Sequence, residues 1–293
     1  MASDVSRPIG PDPLFDRPVF ILSSPRSGST LLFETLAQAP DLYTIGGESH
    51  LVIEQVAGLA PRDRGFDSNV LTERDATHDR AEIVRRRFRA ALRDRSGAPP
   101  PAGPVRMLEK TPKNALRIGF LGRMFPEARY VFLYRDARQT LSSMMDAWRS
   151  ARFRTYPLLP GWTGDLSWSL LLVPGWRELV GKPLHEVVRV QWERTLNAIL
   201  DELEQMPSDR WVALDYDVFQ KQPEAEVKRI CATFGLGWDR ALGESLPLSR
   251  YTLTRPEPEK WRKHADLIEP MIPGLEATIQ RARRILEEGG VST

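Results

Sequence analysis

The segment SSPRSGST, Ser23 to Thr30, has the residue types of an anion cradle. It stands between the apolar β-rich run PVFILS and the stretch LLFETLAQA, whose apolar spacing is helical up to the breaker Pro40. A glycine-bearing loop that joins a buried strand to a helix turns backbone N–H groups and the positive end of the helix dipole toward one point, where a phosphate is held. Gly28 is the glycine, Ser27, Ser29 and Thr30 add hydroxyl donors, and Arg26 brings a guanidinium able to grip an anion in two-pronged fashion. An ATPase loop of the form G-x-x-x-x-G-K-[ST] needs glycine where Ser23 stands and lysine where Ser29 stands. ATP-dependent phosphotransfer is therefore the second choice for this cradle.

Three further places carry candidate groups. In IGGESHLVIE, Glu48 follows two glycines and precedes a helix, so a flexible turn aims its carboxylate; His50 competes as a base, because imidazole is the commoner one near neutral pH, and a helix cap is the plain alternative. Lys110 ends the predicted strand VRMLEK, at the edge where open α/β sheets bind ligands, with Lys113 as its local rival. Arg135 closes the strand VFLY, and Ser143 follows eight residues later, about two helical turns on.

Residues 25–30, PRSGST, match the 5′-phosphosulfate loop of the sulfotransferases that use 3′-phosphoadenosine 5′-phosphosulfate (PAPS), and the chain resembles their bacterial and tyrosylprotein branch. That resemblance implies a donor with a second phosphate, on the ribose 3′ position, held by an arginine at a strand end and a serine eight positions on, the spacing of Arg135 and Ser143. It implies that Glu48, in a segment similar to G-G-E-T-[RK], is the base and that Lys110, in LEKTP, stabilises the transferring sulfonate together with Arg26. LDYDVFQKQP resembles the family's Y-E-D-L…P segment, which puts Tyr216 at the adenosine, with plain packing as the alternative; Lys260 and Trp261 resemble a closing K-W segment over the donor. Ser142 and Arg138 read as packing or surface groups. No metal is implied, and the partner is a small-molecule hydroxyl acceptor.

These groups need a scaffold. The strand-then-helix grammar of residues 18–40 recurs at 129–149, and VRMLEK and WVALDY supply two more strands. Helical spacing runs over about 78–95, 184–206, 223–234 and 275–288. The pattern predicts an α/β fold, three layers with a central parallel sheet, of the P-loop sulfotransferase kind that the resemblance implies. One domain is expected over 1–293, with an extended segment at 1–16 and a Trp-rich insertion at about 150–183 over the acceptor site. Trp148, Phe153, Tyr156, Trp162, Trp168 and Trp176 are its candidate lining, or else its packing.

Composition narrows the partners. With 41% hydrophobic and 27% charged residues, the chain can bury a core. Its 41 basic and 39 acidic side chains sum to +2, so no global basic field draws nucleic acid and any anion site is local. No apolar run approaches the roughly 18 residues of a membrane span. The first residues, acidic and proline-bearing, do not read as a signal peptide, so a cytoplasmic setting is expected. The single cysteine, Cys231, shares a helical face with Val227, Ile230 and Phe234 and reads as a packing thiol.

Overall fold

A computed structural model of the chain describes residues 8–243 and 246–290. Its centre is a five-stranded sheet in which every pairing is parallel. In chain order the elements are β1 (Val19–Leu22), α1 (Ser29–Leu36), β2 (Leu42–Tyr43), α2 (His50–Glu54), α3 (His78–Ala91), β3 (Arg106–Glu109), α4 (Ile118–Met124), β4 (Arg129–Tyr134) and α5 (Ala137–Arg149). There follow β5 (Arg154–Tyr156), β6 (Trp168–Ser169), α6 (Leu184–Leu203), β7 (Trp211–Asp215), α7 (Tyr216–Lys221), α8 (Pro223–Phe234), α9 (Ala265–Ile268) and α10 (Ile272–Glu288). Strand order is β2-β3-β1-β4-β7. The chain therefore leaves β1, builds one side of the sheet, then crosses to the other, and the loop after β1 lies at the switch point where such sheets bind ligands.

Alternation along the strands builds two cores, one on each face. Val19, Ile21, Leu108, Val131, Leu133, Val212 and Leu214 pack against α1 and α8, while Phe20, Leu22, Met107, Phe132 and Ala213 pack toward α4, α6 and α10. The three-layer arrangement follows, because a parallel sheet has to be covered on both faces. Cys231 lies in the α8 core, and burial pushes its thiol up to about 11.

Of the expected N-terminal extension, residues 1–7 lie outside the described residues, and from residue 8 the chain is tied to the core. Ile9 and Phe15 are buried, and Phe15 bridges to Val105 in parallel. The Trp-rich stretch forms the antiparallel pair β5 and β6. Trp148, Trp162, Trp168 and Trp176 meet edge to face or tilted, with ring centroids 4.9–6.4 Å apart, and Trp148, Trp168 and Trp176 are fully buried. They are packing, as large aromatic surfaces favour. Among the described residues no helix is long and apolar enough to cross a membrane.

Candidate active site

Parallel strands put all their carboxyl ends on one edge, and the sequence places a polar residue directly after three of them. Lys110 follows Glu109, Arg135 follows Tyr134 and Tyr216 follows Asp215. Together with the loop after β1 they open onto one cleft of about 580 Å³. Every residue expected to act in catalysis or donor binding lines it except Ser27, which is buried with its Oγ 2.7 Å from Ser24 Oγ; Trp148, Trp162, Trp168 and Trp176, candidate acceptor lining, do not. Ser142 also faces the cleft, whereas Arg138 stands over the Trp261 ring.

The loop is shaped by two left-handed residues. Gly28 caps α1 at φ 93°, and a Cβ there would come within 2.2 Å of the Tyr216 ring, so both conformation and space demand glycine. Arg26 takes φ 68°, which costs on the order of 1–3 kcal/mol in a residue with a side chain. Its guanidinium lies over the Phe153 ring at 4.5 Å, and it donates through Nε to Ser143 Oγ (3.4 Å) and through Nη1 to the Tyr251 carbonyl (3.2 Å). Burial, then the charge of Arg135, pulls its pKa down to about 10. Arg135 stacks on Tyr216 at 4.5 Å and donates to Gln139 Oε1 (3.0 Å) and the Arg26 carbonyl (3.2 Å); burial lowers its pKa too. Among the described residues neither arginine has a carboxylate partner. Ser143, predicted to work beside Arg135, touches Arg26 instead.

In the same cleft, Lys110 Nζ donates to Glu48 Oε1 at 2.8 Å. His50 is close by, its Nδ1 3.9 Å from Glu48 Oε2, and burial followed by the charge of Lys113 holds the imidazole below its usual value. Beyond them the charges are paired. Lys113 donates to both oxygens of Glu54 (2.9 and 3.1 Å), and Arg117 donates to Glu54 Oε1 (2.5 Å). Burial would raise the Glu54 carboxyl, but Arg117 and Lys113 outweigh it and hold it below the usual range.

Residues 18–240 match the sulfotransferase family. This chain belongs to that family. A Caenorhabditis briggsae protein that carries a protein-tyrosine sulfotransferase name is 22% identical over 216 residues, which are 74% of this chain and 64% of that relative's length. The fold is that of solved bacterial sulfotransferases. The enzyme of Alicyclobacillus acidocaldarius is 17% identical with a TM-score of 0.54, covering 93% of this chain and 96% of its own. The sulfotransferase domain of the Synechococcus PCC 7002 olefin synthase is 20% identical with a TM-score of 0.51, covering 93% and 95%.

Sequence reasoning missed Gln139, Glu54 and Tyr251 in this sulfotransferase's cleft. Gln139, one helical turn after Arg135, was open to discovery from its spacing. Glu54 and Tyr251 were not read as site groups, whereas Phe153 and Tyr156, expected as acceptor-pocket lining, do line the cleft. Tyr251 lies in a segment without regular structure, and its carbonyl meets Arg26 across 225 positions of sequence. Lys260 and Trp261 line the cleft from that same C-terminal side, where Lys260 donates to the Arg255 carbonyl (3.1 Å) and to Thr254 Oγ1.

Proposed function

We propose that this chain transfers a sulfonate group from PAPS to a hydroxyl of a small-molecule acceptor. One observation carries the reading: two half-buried guanidinium groups, Arg26 and Arg135, share a cleft without a carboxylate partner among the described residues. Cations withdrawn from water in that state are costly unless an anion completes them, and a donor with phosphate at both ends of its ribose offers two. Gly28, Ser29 and Thr30 at the start of α1 suit the 5′ end, Arg135 and Ser143 the 3′-phosphate, Tyr216 the adenosine, and Lys260 with Trp261 the outer face.

In the reaction, the acceptor oxygen forms a bond to sulfur while the bond from sulfur to the phosphate oxygen breaks, and its electron pair leaves with the phosphate. Glu48 takes the acceptor's proton. Lys110 and Arg26 offset charge on the transferring group, and the 2.8 Å contact between Lys110 and Glu48 supports a base and an electrostatic stabiliser at one point. Support for Glu48 over His50 is that contact, which the imidazole lacks.

Calorimetry is expected to show binding of 3′,5′-adenosine bisphosphate (PAP) without metal and weak or no binding of ATP with magnesium; the reverse pattern returns the cradle to phosphotransfer. A screen of alcohols, phenols and glycolipids with sulfur-labelled PAPS then identifies the acceptor. On that acceptor, Glu48→Gln is expected to lose on the order of 10²- to 10⁴-fold in turnover, the usual worth of a general base, while keeping its PAP affinity. His50→Gln is expected to stay near the parent rate, and the opposite ranking hands the base role to His50.

A further inference from the structure

The last residue of β3, Glu109, is 1% exposed and does not line the cleft. A carboxyl in that position is costly unless its oxygens are satisfied, and burial pushes it toward the protonated form. Its partners are specific. Thr111 Oγ1 donates to Glu109 Oε1 (2.6 Å), and the Asn114 side-chain amide donates to Oε2. The Thr111 oxygen in turn accepts the Ser49 backbone N–H at 2.7 Å and lies 3.2 Å from Ser49 Oγ. Ser49, Thr111 and Asn114 are all buried.

Extended backbone sends alternate side chains to opposite faces, so Glu109 and Thr111 point one way and Lys110 the other. The turn at 46–49 is gripped from both directions: Ser49 by the Thr111 hydroxyl that Glu109 orients, and Glu48 by Lys110 at 2.8 Å. Two consecutive residues of one segment are thus held by three consecutive residues of another. The turn needs such a hold, because Gly46 and Gly47 form its first half and Gly46 sits at φ 70°. Neither glycine has a neighbour within 4 Å of where a Cβ would be; besides the grip on Glu48 and Ser49, the stretch is held at Gly46, whose N–H donates to Thr44 Oγ1 (3.1 Å) and whose carbonyl accepts from Arg250 Nη1 (2.9 Å).

We propose that Glu109 is a positioning residue, which fixes the Glu48 turn opposite Lys110 through Thr111 and Ser49. The assignment rests on the sulfonate-transfer reading of Glu48 and Lys110 for its consequence in catalysis, but its geometry is testable without it.

Three variants separate the cases. Glu109→Leu removes the acceptor that orients Thr111. Thr111→Val removes the hydroxyl alone with little change of shape, and carries the test if the leucine variant does not fold. Glu109→Gln keeps an oxygen for Thr111, and its new amide finds an acceptor in Asn114 Oδ1, which lacks a partner in the parent, once the Asn114 amide turns over. Crystal structures of Glu109→Leu and Thr111→Val are expected to show Ser49 displaced and the contact between Lys110 and Glu48 lost, while Glu109→Gln retains both. With the acceptor from the screen, kcat is expected to fall on the order of 10²-fold in the first two, as for a catalytic group moved by about 1 Å, and to return in Glu109→Gln. PAP affinity is expected to change by less than about twofold, since the arginines are separate from this network. A contact that survives in both disrupted variants overturns the proposal, and so does a loss of PAP affinity in step with kcat. Should the parent chain bind no PAP, the sulfonate-transfer reading fails, and the crystal structures still decide whether Glu109 holds the turn.

Discussion

The two ends of the cleft handle positive charge in opposite ways. At the loop end, Arg26 and Arg135 stack on Phe153 and Tyr216 and donate to a hydroxyl, a side-chain amide and backbone carbonyls, none of them a full negative charge. At the far end, Lys113 and Arg117 converge on Glu54, whose side chain is only 15% exposed. Both ends take cations out of water, but only the second supplies the counter-charge from the chain itself. The first is suited to bind an anion, and the second is suited to hold α2 against the segment after β3. Counting basic residues in the cleft would not separate these roles. Counting their carboxylate partners does.

The sharpest way to break this contrast is to remove the shared carboxylate. Glu54→Ala leaves two buried cations uncompensated and is expected to cost about 3–5 kcal/mol of stability, read by urea unfolding, with PAP affinity in the folded fraction unchanged. A large loss of PAP affinity at full stability would merge the two ends. At the loop end the expectation inverts. Arg135→Met removes a charge that no carboxylate offsets, so the melting temperature of the ligand-free chain is not expected to fall. PAP binding is expected to weaken by roughly 10- to 100-fold, equivalent to about 1.5–3 kcal/mol for hydrogen bonds to a charged group. A destabilised Arg135→Met with normal PAP binding would make Arg135 a structural cation like Arg117.

The same contrast explains what the sequence made legible. The loop end is written in short contiguous motifs, because a residue that follows a strand in a parallel sheet has its place set by that strand. Lys110, Arg135 and Tyr216 were readable for this reason, and so was the three-layer fold whose strands announce themselves as apolar runs. The rest of the cleft is assembled from α2, from β5 and from residues 246–261, which meet only in three dimensions. Neither Glu54 nor Tyr251 stands in a pattern that names its partner. The tryptophans of 148–176 show the limit from another side: their composition suited a pocket wall or a core, and only their mutual edge-to-face packing decides for the core. Glu109 drew no reading of its own from the sequence, although a carboxylate directly after the buried run VRML needs partners wherever it lies.

The smallest expected effect sharpens the loop end internally. Ser143 follows Arg135 by two helical turns, yet in the ligand-free cleft its Oγ meets Arg26 Nε at 3.4 Å, a long contact for a hydrogen bond. If Ser143 serves the 3′-phosphate with Arg135, Ser143→Ala is expected to weaken PAP by about two- to tenfold, less than the loss of the charged donor Arg135. The same change is expected to leave adenosine 5′-phosphate, which lacks the 3′ group, unaffected. Combining Ser143→Ala with Arg135→Met should then give less than the sum of the two losses, because two groups on one phosphate are coupled. Equal weakening of both nucleotides points the other way, to a serine that orients Arg26 and acts through the 5′ end. That outcome would leave Arg135 and Gln139, one turn apart and 3.0 Å in contact, as the pair that reads the second phosphate.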